Sequence, residues 1–154
     1  MEGLRENSLQ GDRCYREAMQ ALSKEKATVS LKDCPDLGPI LFAVSAALHG
    51  GIFTETHRLR IKESDRIQAM QSELMKLGVS LVAKEDRVEV LCGDLRAPIE
   101  PINGHNNHRI VMAMAVLLTL TGGEIHGAEA VCKSYPRFFE DLKGLGIRVD
   151  VLAR

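Results

Sequence analysis

The stretch that decides the fold covers residues 36–82 and reads DLGPILFAVSAALHGGIFTETHRLRIKESDRIQAMQSELMKLGVSLV. A second stretch, residues 108–151, reads HRIVMAMAVLLTLTGGEIHGAEAVCKSYPRFFEDLKGLGIRVDV. Each contains an apolar run, a Gly-Gly pair, a Lys-Ser or Lys-Glu-Ser turn and a Leu-Gly-Val or Leu-Gly-Ile ending, in that order. Self-similarity over tens of residues indicates that the chain repeats one structural unit.

Both copies predict the same order of elements. An apolar helix over residues 39–49 or 108–121 stops at a Gly-Gly pair, because glycine readily takes the left-handed conformation that ends a helix. A strand over residues 51–60 or 123–130 follows, and a Lys-containing turn leads into a second helix. In the first copy this helix is amphipathic, with an apolar face formed by Ile67, Met70, Leu74 and Leu77.

The second helix of each copy also has start and stop signals. Ser64 or Ser134 is predicted to cap its beginning, because a serine hydroxyl accepts hydrogen bonds from the first free N–H groups. Gly78 or Gly146 is predicted to end it, and a strand then returns. The two copies therefore agree in their helix start and stop signals as well as in the order of their elements.

Two further segments complete the element order. SLVAKE and RVEVLC flank Asp86 and predict a hairpin, which gives the unit a β-α-β-α-β-β character. The opening stretch NSLQGDRCYREAMQALSKEKATVSL predicts one helix and one strand. We therefore divide this α/β chain into the tail of an earlier unit (residues 1–35), a first unit (36–100) and a second unit (101–154).

The composition disfavours several classes of protein. Lys+Arg and Asp+Glu nearly cancel to a net charge of -1, so no overall field attracts nucleic acid or an anionic membrane. Aromatic residues make up only 4%, which disfavours single-stranded nucleic acid as a stacking partner. The four cysteines lack CxxC pairs, which is typical of reduced thiols rather than of zinc or disulfide frameworks. With no signal core or membrane span, we expect a cytoplasmic protein.

Basic residues recur at the turns that enter the predicted helices. Lys62, Arg66 and Lys133 share this location. Helix N-termini carry unpaired N–H groups and a partial positive charge, so basic residues there favour an anion site. Arg109 stands at the start of the second apolar helix, beside an otherwise uncharged run. Any anionic ligand is therefore expected to meet a local cluster of these side chains.

The same residues also fit structural roles, and spacing alone does not decide between the two. Arg58, Arg60 and Lys62 would equally form an exposed strand edge, followed by an exposed first helical turn with weak local ion pairs. Asp36 would equally cap the helix that follows it, and without other information this role is favoured.

A metal site is not expected from the sequence. His105 and His108 are spaced for a metal pair on one helix. No third candidate ligand lies near them, and Asn106 and Asn107 stand between them.

Five segments together resemble the carboxyl-terminal domain of the EPSP synthase (3-phosphoshikimate 1-carboxyvinyltransferase) family. They are NSLQGD (7–12), DCPDLGPIL (33–41), RLRIKESDRI (58–67), NGHNNHRIVMAMAV (103–116) and GAEAVCKSYPRFFEDLKGLG (127–146). They cover most of the chain in family order, and Lys-Glu-Ser-Asp-Arg and His-Arg-Ile-Val-Met-Ala are specific signatures. The resemblance implies the inside-out α/β barrel of the enolpyruvyl transferases, built from βαβαββ units, with about two units and part of a third present here.

The resemblance implies transfer of the enolpyruvyl group from phosphoenolpyruvate to shikimate 3-phosphate in aromatic amino acid biosynthesis, with release of phosphate. It implies no metal or organic cofactor. By motif match, Asp36 is the base on the acceptor hydroxyl, Glu63 is the proton shuttle and Lys62 contacts the acceptor. The cations that match those holding phosphoenolpyruvate are Arg66, Arg109 and Lys133.

Two departures from the family pattern affect these expectations. The family usually has Asn-Asp-His-Arg where this chain has Asn-Asn-His-Arg, so Asn107 replaces a carboxylate beside the cations. The resemblance also implies that a partner domain is missing here, namely the amino-terminal domain that holds the shikimate phosphate and closes the cleft. We therefore expect the chain alone to bind weakly and to turn over little substrate.

Two alternatives stay open. The related UDP-N-acetylglucosamine enolpyruvyl transferases share the repeat architecture, although Lys-Glu-Ser-Asp-Arg favours shikimate 3-phosphate. A non-catalytic remnant or interaction module would keep the fold without the chemistry. The presence of Asn107 favours that second alternative.

Overall fold

The computed structural model describes residues 11–61 and 65–152. The helices are Tyr15–Leu22 (α1), Gly38–Ala47 (α2), Arg66–Lys76 (α3), His108–Thr121 (α4) and Phe138–Gly144 (α5). The strands are Ala27–Ser30 (β1), Gly51–Thr54 (β2), Leu81–Ala83 (β3), Arg87–Val90 (β4), Ile102–Asn103 (β5) and Ile125–His126 (β6). Short 3-10 helices occupy Gly11–Cys14, Pro35–Leu37, His57–Leu59 and Ala128–Lys133.

The first part of the chain contains a four-stranded mixed sheet with the strand order β1-β2-β4-β3. β1 and β2 are parallel and are connected through α2, with Ala27 opposite Gly51. β4 is antiparallel to both β2 and β3, which confirms the predicted hairpin around Asp86. β5 and β6 form a second, two-stranded parallel sheet, connected through α4. The predicted α/β class is therefore confirmed, and β1 lies in the same sheet as β2 although residues 1–35 were assigned to a preceding unit.

The main hydrophobic core surrounds α2. This helix is buried over most of its length and packs against α1, α3 and α4. Phe42 of α2 meets Phe53 of β2 edge to face, with ring centroids 4.8 Å apart, and both side chains are fully buried. Because α2, α3 and α4 meet in this core, the residues near their N-terminal ends come close together, and these include Asp36, Arg66 and Arg109.

Two helix ends confirm the glycine signals of the sequence. α4 spans residues 108–121 as predicted, and Gly122 follows it with φ of 73°. α3 ends shortly before Gly78, which has φ of 84°. A Cβ atom at Gly78 would lie 2.8 Å from the carbonyl oxygen of Asp94, so a side chain is excluded there on two grounds.

The strand predicted over residues 51–60 is shorter in the structure. β2 stops at Thr54, because Glu55 takes the left-handed region with φ of 56°. Residues 57–59 then form a 3-10 helix instead of a strand. Positive φ at a residue other than glycine is uncommon, and nothing in the local pattern predicts it here.

The strands of the second copy also differ from the prediction. Of residues 123–130, only Ile125 and His126 form a strand, and Gly127, with φ of 75°, precedes a 3-10 helix. Residues 147–152 form no strand, so the returning strand predicted there is wrong.

Neither predicted serine cap is observed. Asp65 is the N-cap of α3, and its Oδ1 accepts hydrogen bonds from the N–H groups of Ile67 and Gln68, each at 3.0 Å. Ser64 itself lies outside the described residues. α5 begins only at residue 138 and has no side-chain capping bond, so the Ser134 cap is wrong.

Two expectations from composition can be compared with the structure. The cysteines at positions 14, 34, 92 and 132 are all free, and of these only Cys34 is buried. Within the described ranges, no helix is long and apolar enough to cross a bilayer.

Candidate active site

A single carboxylate joins two arginines from different helices. Asp36 lies in the 3-10 helix between β1 and α2. Its Oδ1 accepts a hydrogen bond from Nη1 of Arg66, on α3, at 2.8 Å. Its Oδ2 accepts one from Nη2 of Arg109, on α4, at 2.6 Å. Hydrogen bonds between ionised partners are stronger than neutral ones, so this bridge fixes both guanidinium groups.

Asp36 is not the N-cap of the following helix. Leu37 occupies the N-cap position of α2, and no side chain caps that end. The capping role that local sequence favoured for Asp36 is therefore wrong. The carboxylate instead contacts Arg66 and Arg109, which lie 30 and 73 positions further along the chain.

The Arg66 side chain is the buried member of the cluster, with 4% of it exposed. Its Nε has no hydrogen-bond partner among the residues that the structure describes. A charged group removed from water needs a partner of opposite charge, and Asp36 supplies one. The expectation that this first turn of α3 is exposed is wrong for Arg66.

Arg109 is held in the first turn of α4 by the cap that precedes it. Asn107, only 2% exposed, is the N-cap, and its Oδ1 accepts from the N–H groups of Arg109 at 3.0 Å and Ile110 at 3.4 Å. The amide oxygen thus serves as the cap at the position where the family usually has a carboxylate. Arg109 also contacts the ring of His108 through Nη1.

Replacing Asn107 by alanine should destabilise the protein by about 1–2 kcal/mol, because two buried N–H groups lose their acceptor. The free energy of unfolding of Asn107→Asp should lie within about 1 kcal/mol of that of the unmodified chain, since Asn and Asp are comparable N-caps. Urea unfolding of both variants measures this difference. Equal losses in Asn107→Ala and Asn107→Asp would contradict the capping role.

Lys133 lies at the end of the 3-10 helix Ala128–Lys133. Its Nζ donates to the backbone oxygen of Asn106 at 3.2 Å and to the Asn106 Oδ1 at 2.8 Å. Lys133 therefore contacts the loop that leads directly into α4 and Arg109. The structure thus brings Asp36, Arg66 and Arg109 into direct contact and ties Lys133 to the same loop.

The segment over residues 58–63 contains two predicted site residues and two neighbouring arginines. Lys62 and Glu63 lie outside the described residues. Arg58 and Arg60 are exposed as the structural interpretation expected, and they donate to the backbone oxygens of Lys32 and Lys84. The strand edge expected there is wrong, because Arg58 lies in a 3-10 helix and Arg60 directly follows it.

His105 and His108 have other contacts than a metal ion. His105 Nε2 lies 2.8 Å from Oε1 of Glu73, and His108 contacts Arg109. In the described part of the chain, no group of three His, Cys, Asp or Glu side chains is arranged to hold a metal.

Sequence reasoning missed Glu73, a buried acid on α3. Its side chain is 2% exposed and is paired with Nζ of Lys76 at 2.8 Å and with His105. Burial by itself raises the pKa of Glu73, but hydrogen bonds from Lys76, the Asn103 N–H and His105 together hold it below its ordinary value. The available signal was a charged residue on the apolar face of an amphipathic helix, three positions after Met70.

The fold and this cluster together define a class of α/β protein. In it, cationic side chains from the first turns of two helices surround one carboxylate, an arrangement suited to an anionic ligand. Comparison with known proteins makes the assignment specific. The family model described as EPSP synthase (3-phosphoshikimate 1-carboxyvinyltransferase) matches residues 6–142. This chain belongs to the EPSP synthase family.

Relatives named 3-phosphoshikimate 1-carboxyvinyltransferase support the assignment. The protein from Clostridium kluyveri is 36% identical over an alignment that covers 96% of this chain and 39% of the relative. The protein from Clostridium acetobutylicum is 38% identical over 91% of this chain and 36% of the relative. The protein from Syntrophobacter fumaroxidans is 43% identical over 76% of this chain and 28% of the relative.

A solved structure gives the same result. EPSP synthase from Acinetobacter baumannii superposes with a TM-score of 0.71 at 30% identity, covering 80% of this chain and 30% of that one. The resemblance drawn from the five sequence segments is therefore confirmed. The chain spans less than two fifths of the length of these relatives.

Proposed function

We propose that this chain supplies the carboxyl-terminal half of a site that transfers the enolpyruvyl group from phosphoenolpyruvate to shikimate 3-phosphate. The products are 5-enolpyruvylshikimate 3-phosphate and phosphate. Family membership supports this reaction. The observation that carries the proposal is the convergence of Arg66 and Arg109, from two helices, on Asp36.

Charge and hydrogen-bonding capacity support an anionic substrate at this cluster. Two guanidinium groups and one carboxylate leave one net positive charge. Guanidinium groups bind carboxylate and phosphate through paired N–H donors, and phosphoenolpyruvate carries both of these groups.

We assign the chemical steps by role. Asp36 takes the proton of the acceptor hydroxyl as its oxygen forms a bond to the central carbon of phosphoenolpyruvate, and Glu63 donates a proton to the methylene carbon. A methyl proton then returns to Glu63 as the C–O bond to phosphate breaks, and the departing phosphate takes the proton from Asp36, so both acids regain their starting state. Lys62 contacts the acceptor, while Arg66, Arg109 and Lys133 hold phosphoenolpyruvate. No step in this assignment calls for a cofactor.

The architecture proposed for the whole domain is the inside-out α/β barrel of βαβαββ units. The observed order β1-α2-β2-α3-β3-β4 supports one such unit, and β5-α4-β6-α5 supports part of another. The proposed division is into residues 1–35, 36–100 and 101–154, but the pairing of β1 with β2 favours placing β1 in the same unit as residues 36–100. The cytoplasm stays the proposed location.

A second candidate function is that of a non-catalytic module of the same fold. The replacement of the usual family carboxylate by Asn107 favours it, although the cap that Asn107 forms is intact. Transfer to UDP-N-acetylglucosamine is the remaining enzyme alternative, and Lys-Glu-Ser-Asp-Arg argues against it.

Reconstitution tests the proposal directly. The chain is mixed with the amino-terminal domain of the Clostridium kluyveri relative, and phosphate release from phosphoenolpyruvate plus shikimate 3-phosphate is measured. We expect phosphate release from the mixture and little or none from either part alone. A folded mixture that releases no phosphate would favour the non-catalytic module, and release only with UDP-N-acetylglucosamine would favour the other transferase.

A further inference from the structure

Glu73 is a buried, fully paired acid that the proposed chemistry does not use. We propose that Glu73 is a positioning residue that fixes the loop over residues 103–107 and thereby sets the positions of Arg109 and Lys133. The inference rests on the proposed function, because these two cations are assigned to phosphoenolpyruvate. Glu73 itself is not expected to touch the substrate.

The contacts of Glu73 reach from α3 to the loop after β5. Oε2 accepts from the backbone N–H of Asn103 at 2.9 Å, and Oε1 lies 2.8 Å from His105 Nε2. Nζ of Lys76 adds a further donor at 2.8 Å. A buried carboxylate is costly unless it is paired in this way, so the loop and the acid depend on each other.

The loop itself has a backbone that needs such support. His105 and Asn106 both have φ of 50°, in the left-handed region. Residues other than glycine held there cost about 1–3 kcal/mol each, and they persist only where neighbouring contacts fix them. Gly104 is equally constrained, since a Cβ atom there would lie 2.6 Å from Cγ2 of Val111.

The loop leads to both cations. Asn106 provides the two oxygens that accept from Lys133 Nζ. Asn107 caps α4 and accepts from the N–H of Arg109. A shift of the loop would therefore move the contact of Lys133 and the first turn that carries Arg109 at the same time.

Helix α3 connects this support with the arginine cluster. Arg66 and Glu73 are seven residues apart on α3, which places them on one face two turns apart. Arg66 contacts Asp36 at one end of this face, and Glu73 contacts the loop at the other. One rigid helix thus sets the spacing between the two halves of the candidate site.

Four variants test the inference on the chain as it is. Glu73→Gln replaces one accepting oxygen by an amide N–H₂, which cannot accept from the loop. His105→Asn suits the positive φ but is too short to reach Glu73, whereas His105→Gln keeps an N–H donor of comparable reach. Glu89→Gln is the matched control, because it removes the same charge from a paired but remote carboxylate.

The first readout is NMR of the chain without ligand, following the backbone amides of residues 108 and 109, the Arg109 Nε–H and the Lys133 side chain. We expect these signals to move in Glu73→Gln and His105→Asn and to stay in place in Glu89→Gln and His105→Gln. The second readout is titration with phosphoenolpyruvate in the reconstituted mixture. The affinity for phosphoenolpyruvate should fall about tenfold in Glu73→Gln and His105→Asn, since displacing a binding group by about an ångström can cost a factor of ten or more.

The two proposals can fail separately. Signals of Arg109 and Lys133 that stay in place in both Glu73→Gln and His105→Asn would overturn the positioning role, whatever the ligand data show. Should Glu73→Gln not fold, His105→Asn and its His105→Gln rescue decide the question alone. Signals that move as expected in a mixture that releases no phosphate would leave the positioning role standing and count against the proposed function.

Discussion

Asp36→Ala should destabilise the protein by about 3 kcal/mol, because it leaves the charge of Arg66 buried without its partner. Arg66 is 4% exposed and its Nε already lacks an acceptor among the described residues. The expected loss lies at the lower end of the range for broken buried pairs, since Asp36 is 35% exposed and water can reach part of the gap. Chemical unfolding of the variant measures the loss.

The matched control is Asp86→Ala. Asp86 is exposed, pairs with the His57 ring and accepts from the His57 backbone N–H at 2.9 Å, and its removal should cost only about 1 kcal/mol because all of these contacts are exposed to water. Adding Arg66→Met to Asp36→Ala should recover a large part of the stability, because the buried charge is then removed together with its partner. An Asp36→Ala loss no larger than that of Asp86→Ala would show that the bridge between α3 and α4 does not stabilise the fold.

Glu63→Gln should reduce phosphate release by the reconstituted mixture by a factor of about 10²–10⁴, the usual contribution of a positioned acid or base. Glutamine keeps the size of the side chain and its acceptor oxygen but cannot carry a proton to the methylene carbon. The loss should fall on kcat more than on KM, because proton transfer occurs in the transition state and not in substrate binding.

Glu140→Gln provides the control for this experiment. Glu140 is exposed, pairs with Arg137 and has no part in the proposed chemistry. It should leave phosphate release unchanged. Release by Glu63→Gln equal to that of Glu140→Gln would remove Glu63 from the proton-transfer role and return the choice of acid to the other residues of the Lys-Glu-Ser-Asp-Arg segment.

Elements with local signals were predicted well from the sequence. α4 has a cap and a stop that are both adjacent to it, namely Asn107 and Gly122, and its bounds are as predicted. The hairpin around Asp86 has alternating strands next to a polar turn, and it is confirmed. In these cases the residues that determine the structure are the residues that the pattern contains.

Elements that depend on backbone strain or distant contacts were not predictable in this way. β2 ends at a left-handed Glu55, and glutamate gives no local indication of that conformation. The role of Asp36 depends on Arg66 and Arg109, which a window around Asp36 does not include. Glu73 was missed because its loop partners lie about 30 residues away, although its place on an apolar face was visible.

The bridge at Asp36 also sets how much chain the site requires. The four-stranded sheet is complete by Val90, whereas Arg109 comes from the next helix. Under the proposed function, a chain ending between Val90 and Arg109 would therefore contain every strand of this sheet but only one of the two arginines that contact Asp36.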